Sequence, residues 1–367
     1  MFEDVDVDDV SVQCSHVLVI GSPYAHHNRK VFLQKFTRIL SEIVKSVYVI
    51  GANEPADRSN ISWTEIKIPD EAEGIRRYIR FFSSQVRAII SARSQDVDYD
   101  TTFIRTTQFI LPSVWARLTG KQTATIVTQR TIHPLINKMQ KLNFFLSKNL
   151  IVESPSVLVE WDSESYSYKT LIGATYVDDE QFRTVRPYED RNNIIGYLGT
   201  LNKRKGVDNL LRAFKQLTSK KTNLSMRIGG VGPLEGKASL LSKENEYVDY
   251  RGFVPDEDLC DFYNSLRLLV LPSTSEGLPN VALEAMACGT PVLTTPVGGL
   301  PDIINDKETG FLMKSNDPTS IVENIQRAIT FNHLSEVSKS ASQIVEEQYR
   351  LDSAIFRYRH ILESSLR

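Results

Sequence analysis

The sequence predicts an α/β protein with two successive doubly wound domains that face a central cleft. Three observations predict this class. Short apolar runs alternate with amphipathic stretches, as the repeated strand–helix units of a parallel sheet do. The alternation stops in a polar, proline-containing segment at residues 183–193 and then begins again. The 367 residues are enough for about two domains of typical size.

The first half contains the first series of strand and helix patterns. HVLVIG at residues 16–21 is typical of a buried strand, and apolar residues recur at helical spacing through residues 28–46. The further predicted strands are VYVI (47–50), TTFI (101–104), ATIVT (124–128) and NLIVE (149–153). This order predicts a parallel sheet in the first half.

The second half repeats the alternation. Strands are predicted at 194–199, 224–230, 266–272 and 292–295, and helices at 207–217, at 256–266 and from residue 280. Residues 346–367 form a last helix-like stretch. The expected divisions are therefore 1–187, 188–345 and 346–367.

The composition excludes several classes of protein. Lysine and arginine number 43 against 45 acidic residues, so nucleic acid is not an expected partner. The three cysteines are widely spaced and fit neither a disulfide framework nor a metal cluster. The acidic N-terminus is unlike a signal peptide, and no apolar run approaches the ~18 residues of a spanning helix. We therefore expect a cytoplasmic protein.

Chemistry-bearing residues concentrate between residues 266 and 305. A predicted strand leads into a loop at Pro272–Pro279, and a helix begins near Asn280. Backbone N–H groups at such a helix start are ready to bind an anion. Glu276 lies in the loop, and Glu284 lies about one turn inside the helix, where its carboxylate can accept the hydroxyls of a ribose. The spacing of two glutamates is weak by itself, and the strand–loop–helix setting gives it weight.

Several segments, in this order along the chain, resemble the family-4 retaining glycosyltransferases of GT-B fold with their paired-glutamate signature. They are GTLNKRKG (199–206), GGVGP (229–233), RGFVPDEDL (251–259), PSTSEGLPNVALEAMACGTPV (272–292), VGG (297–299) and ETGFL (308–312). The resemblance covers residues 194–330. It implies a first Rossmann-like domain that binds the acceptor, a second that binds a nucleotide sugar, and a C-terminal helix that crosses back to the first.

The resemblance also implies roles for individual residues. Glu276 and Lys205 are expected to be catalytic, with Glu276 holding the donor sugar and Lys205, together with Arg204, the diphosphate. Glu284 is expected to hold the ribose. The other donor-binding residues that it implies are Thr200, Gly230, Gly232, Phe253, Gly277, Leu278, Pro279, Asn280 and Val281. Cations and a helix N-terminus neutralise a leaving diphosphate without a metal, so neither a metal nor a cofactor is expected.

The sequence departs from the family pattern at four places, one of which is the missing Asn-Gly in ATYVDDEQF at residues 174–182. Thr200 stands where the family usually has an arginine, and Lys203 or Arg204 is the candidate to compensate. The segment SPYAHHNRK at residues 22–30 lacks the usual paired glycines. Arg130 occupies the usual histidine position and His133 follows three residues later, so both are candidate catalytic residues.

The expected activity is that of a retaining hexosyltransferase-type glycosyltransferase. It moves a sugar from a UDP- or GDP-sugar to a hydroxyl of a glycan or lipid-linked glycan, in polysaccharide or glycolipid biosynthesis. One alternative is a non-catalytic partner subunit of a glycosyltransferase complex that binds nucleotide or glycan, which the missing glycines and histidine favour. The other alternative is a sugar-nucleotide epimerase on the same fold.

Two neighbouring stretches of the first half are basic. Residues 101–150 contain no aspartate or glutamate, and residues 74–93 are basic and amphipathic. One interpretation is helices that pack on their own sheet with solvated cations. The other is a surface that rests on anionic lipid at the inner face of the cell membrane, as a peripheral contact.

Overall fold

A computed structural model describes residues 16–24, 27–68, 74–95, 99–105, 109–127, 134–160, 164–218 and 223–366. The chain divides into two compact units. The first unit comprises residues 1–153, 162–175 and 354–367, and the second comprises residues 154–161 and 176–353.

The first unit is built on a seven-stranded parallel sheet. Its strands are β1 (His16–Ile20), β2 (Ser46–Gly51), β3 (Ile61–Glu65), β4 (Thr101–Ile104), β5 (Gln122–Val127), β6 (Asn149–Val152) and β7 (Thr170–Ile172). Its helices in this part of the chain are α1 (His27–Ser41), α2 (Gly74–Ser94), α3 (Ile110–Leu118) and α4 (Pro134–Leu146). The strand order is β3-β2-β1-β4-β5-β6-β7. Because parallel connections are right-handed, α2, α3 and α4 lie on one face of the sheet and α1 lies on the other.

Alternate residues of β1 pack on opposite faces of this sheet. Leu18 and Ile20 lie in a buried cluster with Ala88 and Ala92 of α2. Val19, between them in sequence, is also fully buried. Both faces of the central strand are therefore covered, as is usual for parallel sheets.

The second unit is built on a six-stranded parallel sheet. Its strands are β8 (Ile194–Leu198), β9 (Ser225–Gly229), β10 (Val248–Gly252), β11 (Leu268–Leu271), β12 (Val292–Thr294) and β13 (Phe311–Leu312). Its helices are α5 (Pro155–Glu160), α6 (Val207–Thr218), α7 (Glu235–Glu244), α8 (Leu259–Asn264), α9 (Asn280–Ala287), α10 (Leu300–Ile303), α11 (Pro318–Ile329) and α12 (Leu334–Gln348). The last helix, α13 (Leu351–Leu366), belongs to the first unit from Ala354 onward. The strand order is β10-β9-β8-β11-β12-β13.

The predicted class, two doubly wound α/β sheets, is confirmed, but the prediction lacked the four edge strands β3, β7, β10 and β13. Strand β3 was not predicted, because its residues are half-buried or exposed and form no apolar run. Helix α1 ends at Ser41 rather than at residue 46. The side-chain amide of Asn60 donates to the carbonyls of Ser41 and Val44 at 2.9 and 3.1 Å, which satisfies carbonyls at the helix end and in the turn that follows.

The main part of the second unit begins at residue 176 and ends at residue 353, whereas the sequence-based divisions stand at 187–188 and 345–346. The segment after residue 175 packs within the second unit. The Val177 N–H donates to the Tyr349 carbonyl at 2.7 Å, and the Phe182 ring lies 6.1 Å from that of Tyr263. Within the part of the chain that the structure describes, no helix is long and apolar enough to cross a membrane.

Candidate functional site

The predicted donor-binding residues of the second unit lie in loops at the carboxyl ends of neighbouring strands. β8 leads into residues 199–206, β9 into residues 230–234 and β11 into residues 272–279. The strand order reverses between β8 and β11, because the chain adds β9 and β10 on one side of β8 and β11 to β13 on the other. Ligands of open parallel sheets bind at such a reversal.

Lys205 and Glu276 form an ion pair that joins the loops on the two sides of this reversal. The Lys205 Nζ lies 2.6 Å from Oε1 and 2.7 Å from Oε2 of Glu276. The Ser273 hydroxyl donates to the same Oε1 at 2.6 Å. The two charged side chains are only 18% and 8% exposed. Both carboxylate oxygens are therefore held, and an ammonium group is fixed at the end of β8.

Further contacts bind the same two loops together. The Arg204 Nη1 donates to the Ser275 carbonyl at 2.9 Å, and the Thr274 N–H donates to the Arg204 carbonyl at 2.8 Å. Gly206 has a φ of +71°, and a β-carbon there would lie 1.9 Å from the Pro272 carbonyl oxygen. Only glycine permits this approach without backbone movement.

The glycine loop after β9 packs against the turn after β8. A β-carbon at Gly230, with φ at +119°, would lie 1.9 Å from the Gly199 carbonyl oxygen. One at Gly232 would lie 2.7 Å from the Leu201 carbonyl oxygen. The Leu201 N–H donates to the Val231 carbonyl at 3.0 Å. These two predicted donor-binding glycines thus allow one loop of the site to rest on another.

Glu284 lies inside α9 and is 8% exposed. The Tyr263 hydroxyl donates to its Oε2 at 2.9 Å. Burial, and then the Glu284 carboxylate, raise the pKa of Tyr263 well above its usual value, so its phenol stays protonated and acts as a donor. At the start of α9, the N–H groups of Asn280 and Val281 have no acceptor within the helix and are placed to meet an anion.

The turn after β12 supports the backbone beside Glu276. Gly298 has a φ of +59°, and a β-carbon there would lie 2.4 Å from the Glu276 carbonyl oxygen. The Gly299 N–H donates to the Gly277 carbonyl at 2.7 Å. The loop that carries Glu276 is therefore held both by the loop after β8 and by the turn after β12.

The remaining predicted residues differ in their exposure. Thr200 and Arg204 are exposed, and so is Phe253, which follows β10. Leu278 is buried, and Gly277 and Pro279 are half-buried beside the start of α9. Arg130 and His133 lie outside the described residues.

Three residues that hold this site were not predicted from the sequence. Ser273 stands three residues before Glu276, so a local serine–carboxylate contact was a signal available in the sequence. Tyr263 is 21 residues from Glu284, and no local pattern joins them. Tyr197 is buried and donates to the Thr200 carbonyl at 3.0 Å. Its burial and the nearby Glu276 carboxylate raise its pKa.

Residues 178–347 match the family model of the glycosyl transferases group 1. The chain is similar to the capsular polysaccharide biosynthesis glycosyltransferase CapM of Staphylococcus aureus, with 32% identity over 171 residues, which are 43% of this chain and 44% of the relative. It is also similar to the D-inositol 3-phosphate glycosyltransferase of Streptomyces scabiei, with 36% identity over 136 residues, 34% of this chain and 30% of the relative. The chain thus matches less than half the length of either relative.

Two solved structures are similar along nearly the whole chain. Sucrose-phosphate synthase from Thermosynechococcus elongatus has a TM-score of 0.77 at 18% identity, covering 95% of this chain and 98% of that one. HepE from Anabaena, in complex with UDP and glucose, has a TM-score of 0.74 at 14% identity, covering 95% and 99%. The predicted GT-B fold class is therefore confirmed, and the resemblance found in the sequence agrees with the group 1 model that residues 178–347 match.

Proposed function

We propose that the chain transfers a hexose from a UDP- or GDP-sugar to a hydroxyl of a glycan or lipid-linked glycan, since residues 178–347 match the model of the glycosyl transferases group 1. The proposed transfer retains the anomeric configuration and uses neither a metal nor a cofactor. The observation that carries this proposal is the Lys205–Glu276 pair at the reversal of strand order, close to the start of α9.

The charge of the leaving group explains why this arrangement suits the reaction. Cleavage of a sugar–diphosphate bond develops negative charge on the leaving phosphate. Lys205, Arg204 and the first N–H groups of α9 are the proposed groups that stabilise this charge. A diphosphate competes with Glu276 for the Lys205 ammonium, and the released carboxylate then accepts hydroxyls of the donor sugar.

Glu284 is the proposed ribose ligand. An ionised carboxylate has about four acceptor sites, so the bond from Tyr263 leaves acceptor capacity for ribose hydroxyls. Because α9 carries both Glu284 and the anion-binding N–H groups, one helix places the ribose and the diphosphate together.

The acceptor hydroxyl is proposed to pass its proton to the leaving phosphate. The contribution of the protein to the rate is then mainly positioning and electrostatic stabilisation. The similarity to a capsular polysaccharide enzyme favours polysaccharide or glycolipid assembly as the setting, at the cytoplasmic face of the membrane. Since HepE is solved with UDP, UDP-sugars are the first donors to test.

Turnover of candidate UDP- and GDP-hexoses with glycan and lipid-linked acceptors tests the proposal. Glu276→Gln and Lys205→Gln are each expected to lower kcat about a hundredfold or more, because each removes a group at the reacting centre. Lys30→Gln and Glu54→Gln are matched controls, since that pair is exposed and lies in the first unit. Nuclear magnetic resonance of the product reports whether the anomeric configuration is retained.

The same assay separates the alternatives. An epimerase changes the sugar nucleotide without releasing nucleotide in proportion to a glycoside. A partner subunit binds nucleotide and produces neither. Unchanged turnover in both Glu276→Gln and Lys205→Gln would show that the site lies elsewhere.

A further inference from the structure

Helix α2 buries mainly small and polar residues, with Phe81 partly buried beside them, and exposes four large apolar residues. Its buried side chains are Ser84, Gln85, Ala88 and Ala92, none more than 3% exposed. Its exposed apolar side chains are Ile79 (62%), Phe82 (57%), Val86 (39%) and Ile90 (62%). A surface helix usually turns its apolar stripe toward the core, whereas α2 also has an apolar stripe that is exposed.

Specific contacts hold α2 in this orientation. The Gln85 Oε1 accepts the Leu111 N–H at 3.1 Å, at the start of α3. Ala88 and Ala92 pack in the buried cluster that contains Leu18 and Ile20 of β1. A rotation that buried the large apolar side chains would break these contacts. The outward apolar face is therefore part of the folded unit.

The exposed apolar residues form one stripe with arginines along its edge. At about 100° per residue, Ile79, Phe82, Val86 and Ile90 fall within an arc of about 80° and a length of about 17 Å. The exposed Arg76, Arg80 and Arg87 fall within an adjacent arc of about 40°. Residues 74–95 contain no aspartate or glutamate. We call the four apolar residues and these three arginines the α2 face.

The adjoining helices extend the same character. α3 packs against both α2 and α4. The exposed apolar side chains on these two helices are Leu118 (82%), Leu142 (46%) and Phe145 (67%). Lys138 and Lys141, also exposed, lie on α4 beside them. Leu142 and Phe145 are therefore not buried on the sheet, whereas the neighbouring Phe144 is buried.

We propose that the α2 face binds the surface of an anionic phospholipid bilayer, with α2 lying in the plane of the interface. A bilayer offers anionic headgroups and hydrocarbon within one layer, which matches arginines beside an apolar stripe. A second copy of the chain offers the same arginines, and the like charges repel. This inference rests on the proposed function in one respect, which is that a lipid-linked acceptor lies in such a membrane. The binding itself requires no turnover.

Flotation of the full chain with vesicles tests the proposal. One set of vesicles is phosphatidylcholine, and the other is an equimolar mixture of phosphatidylcholine and phosphatidylglycerol. The chain is expected to float with the anionic vesicles and to stay largely unbound with the neutral ones. Raising the salt concentration is expected to weaken the binding, because surface charges are screened.

Two classes of variant locate the contact. Ile79→Ser with Phe82→Ser is expected to lower partitioning about tenfold or more, since it removes apolar area from the interface. Arg80→Gln and Arg87→Gln are each expected to lower it about fivefold, the effect of about 1 kcal/mol per cation near an anionic surface. The matched controls are Leu240→Ser and Lys243→Gln, which change exposed residues of α7 and are expected to leave partitioning unchanged.

Insertion is measured directly with Phe82→Trp. Its fluorescence is expected to shift to shorter wavelength with anionic vesicles and to be quenched by brominated lipid, whereas Leu240→Trp stays unaffected. If the Ser variants do not fold, the exposed arginine variants and this tryptophan still test the contact.

Equal partitioning onto neutral and anionic vesicles, or equal losses in the α7 controls, would overturn the proposal. So would a concentration-dependent dimer that Phe82→Ser abolishes while vesicles bind nothing. Nucleotide binding by the arginine variants is measured in parallel. If neither the wild type nor any variant binds nucleotide, this result counts against the proposed function. It does not change the conclusion drawn from the vesicles.

Discussion

The two units share one architecture and differ in how the loops at their strand ends are packed. Of the glycines that the structure describes, seven in the second unit have a left-handed φ and one, Gly120, does in the first. A β-carbon at Gly206 or Gly230 would lie 1.9 Å from a backbone oxygen, whereas one at Gly120 would meet nothing within 4 Å. The second unit thus uses glycine to pack loop on loop where its strand order reverses.

The units also differ in where they put their charged groups. In the second unit, Lys205 is paired with Glu276, and Glu284 accepts the Tyr263 hydroxyl, in the interior of the site. In the first unit, Arg80 and Arg87 lie on an outer helix beside exposed apolar residues. The same fold class therefore carries a pre-organised polar site in one unit and a basic apolar surface in the other.

The largest expected effect is that of alanine at two of these left-handed glycines, one in each unit. Gly120→Ala, in open space at φ +72°, is expected to cost about 1 kcal/mol of unfolding free energy from backbone strain alone. Gly206→Ala, at φ +71°, adds a clash with the Pro272 carbonyl and is expected to cost about 3 kcal/mol or more. Urea unfolding followed by far-ultraviolet circular dichroism measures both. Equal losses of unfolding free energy in the two variants would show that the tight loop packing of the second unit adds no stability.

The next largest effect distinguishes two buried tyrosines, one in each unit, by what their hydroxyls contribute. Tyr263→Phe removes a hydrogen bond to a carboxylate and is expected to cost about 2 kcal/mol and to weaken nucleotide binding about tenfold. Tyr358→Phe removes a 2.8 Å bond to the Gly173 carbonyl in the first unit and is expected to cost about 1 kcal/mol. It is expected to leave nucleotide binding unchanged. Calorimetric titration of both variants checks this, and equal losses of affinity would remove Tyr263 from the site.

Alkaline pH is expected to act on both units through the same tyrosines. Burial raises the pKa of Tyr263 and of Tyr358, so both keep their proton in the folded chain above pH 10, where the unfolded chain loses it. The unfolded chain then binds fewer protons, and the unfolding free energy falls as pH rises, by about 1.4 kcal/mol per pH unit for each tyrosine. Either Phe variant is expected to lower this slope by that amount. A slope that neither variant changes would contradict the assignment.

The smallest expected effect is a gain in nucleotide affinity from a substitution at Thr200. Thr200 is exposed, and the resemblance found in the sequence implies an arginine at this position. Thr200→Arg is expected to raise nucleotide-diphosphate affinity about fivefold, because it adds a charge-assisted donor beside Lys205. Thr330→Arg, also at an exposed position of the second unit, is the control. Equal affinity in the two variants would show that the turn after β8 does not contact the diphosphate.

Local patterns predicted the parts of the molecule that local chemistry determines. The apolar run at β1 and the paired glutamates in their strand–loop–helix setting were visible because the signal lies within a few residues. Strand β3 lacks such a run, because it is an edge strand with half-exposed side chains. Its existence depends on pairing with β2, which is a tertiary contact.

The unpredicted features depend on contacts between distant residues. Tyr263 contacts Glu284 because α8 and α9 pack together, and no spacing rule relates the two positions. The outward stripe of α2 has the same periodicity as an inward one, so periodicity alone does not say which face is buried. The choice is made by Ala88 and Ala92, which fit close to β1, and by Gln85, which meets α3.

Calorimetric titration with UDP and with GDP tests the central claim, a nucleotide site at the carboxyl ends of the second sheet. One of the two nucleotides is expected to bind at one site per chain, and Glu284→Ala is expected to weaken this binding about tenfold or more. Glu54→Ala, at an exposed carboxylate of the first unit, is predicted to bind like the wild type. Binding of neither nucleotide at millimolar concentration, or equal affinity in Glu284→Ala and the wild type, would contradict the account.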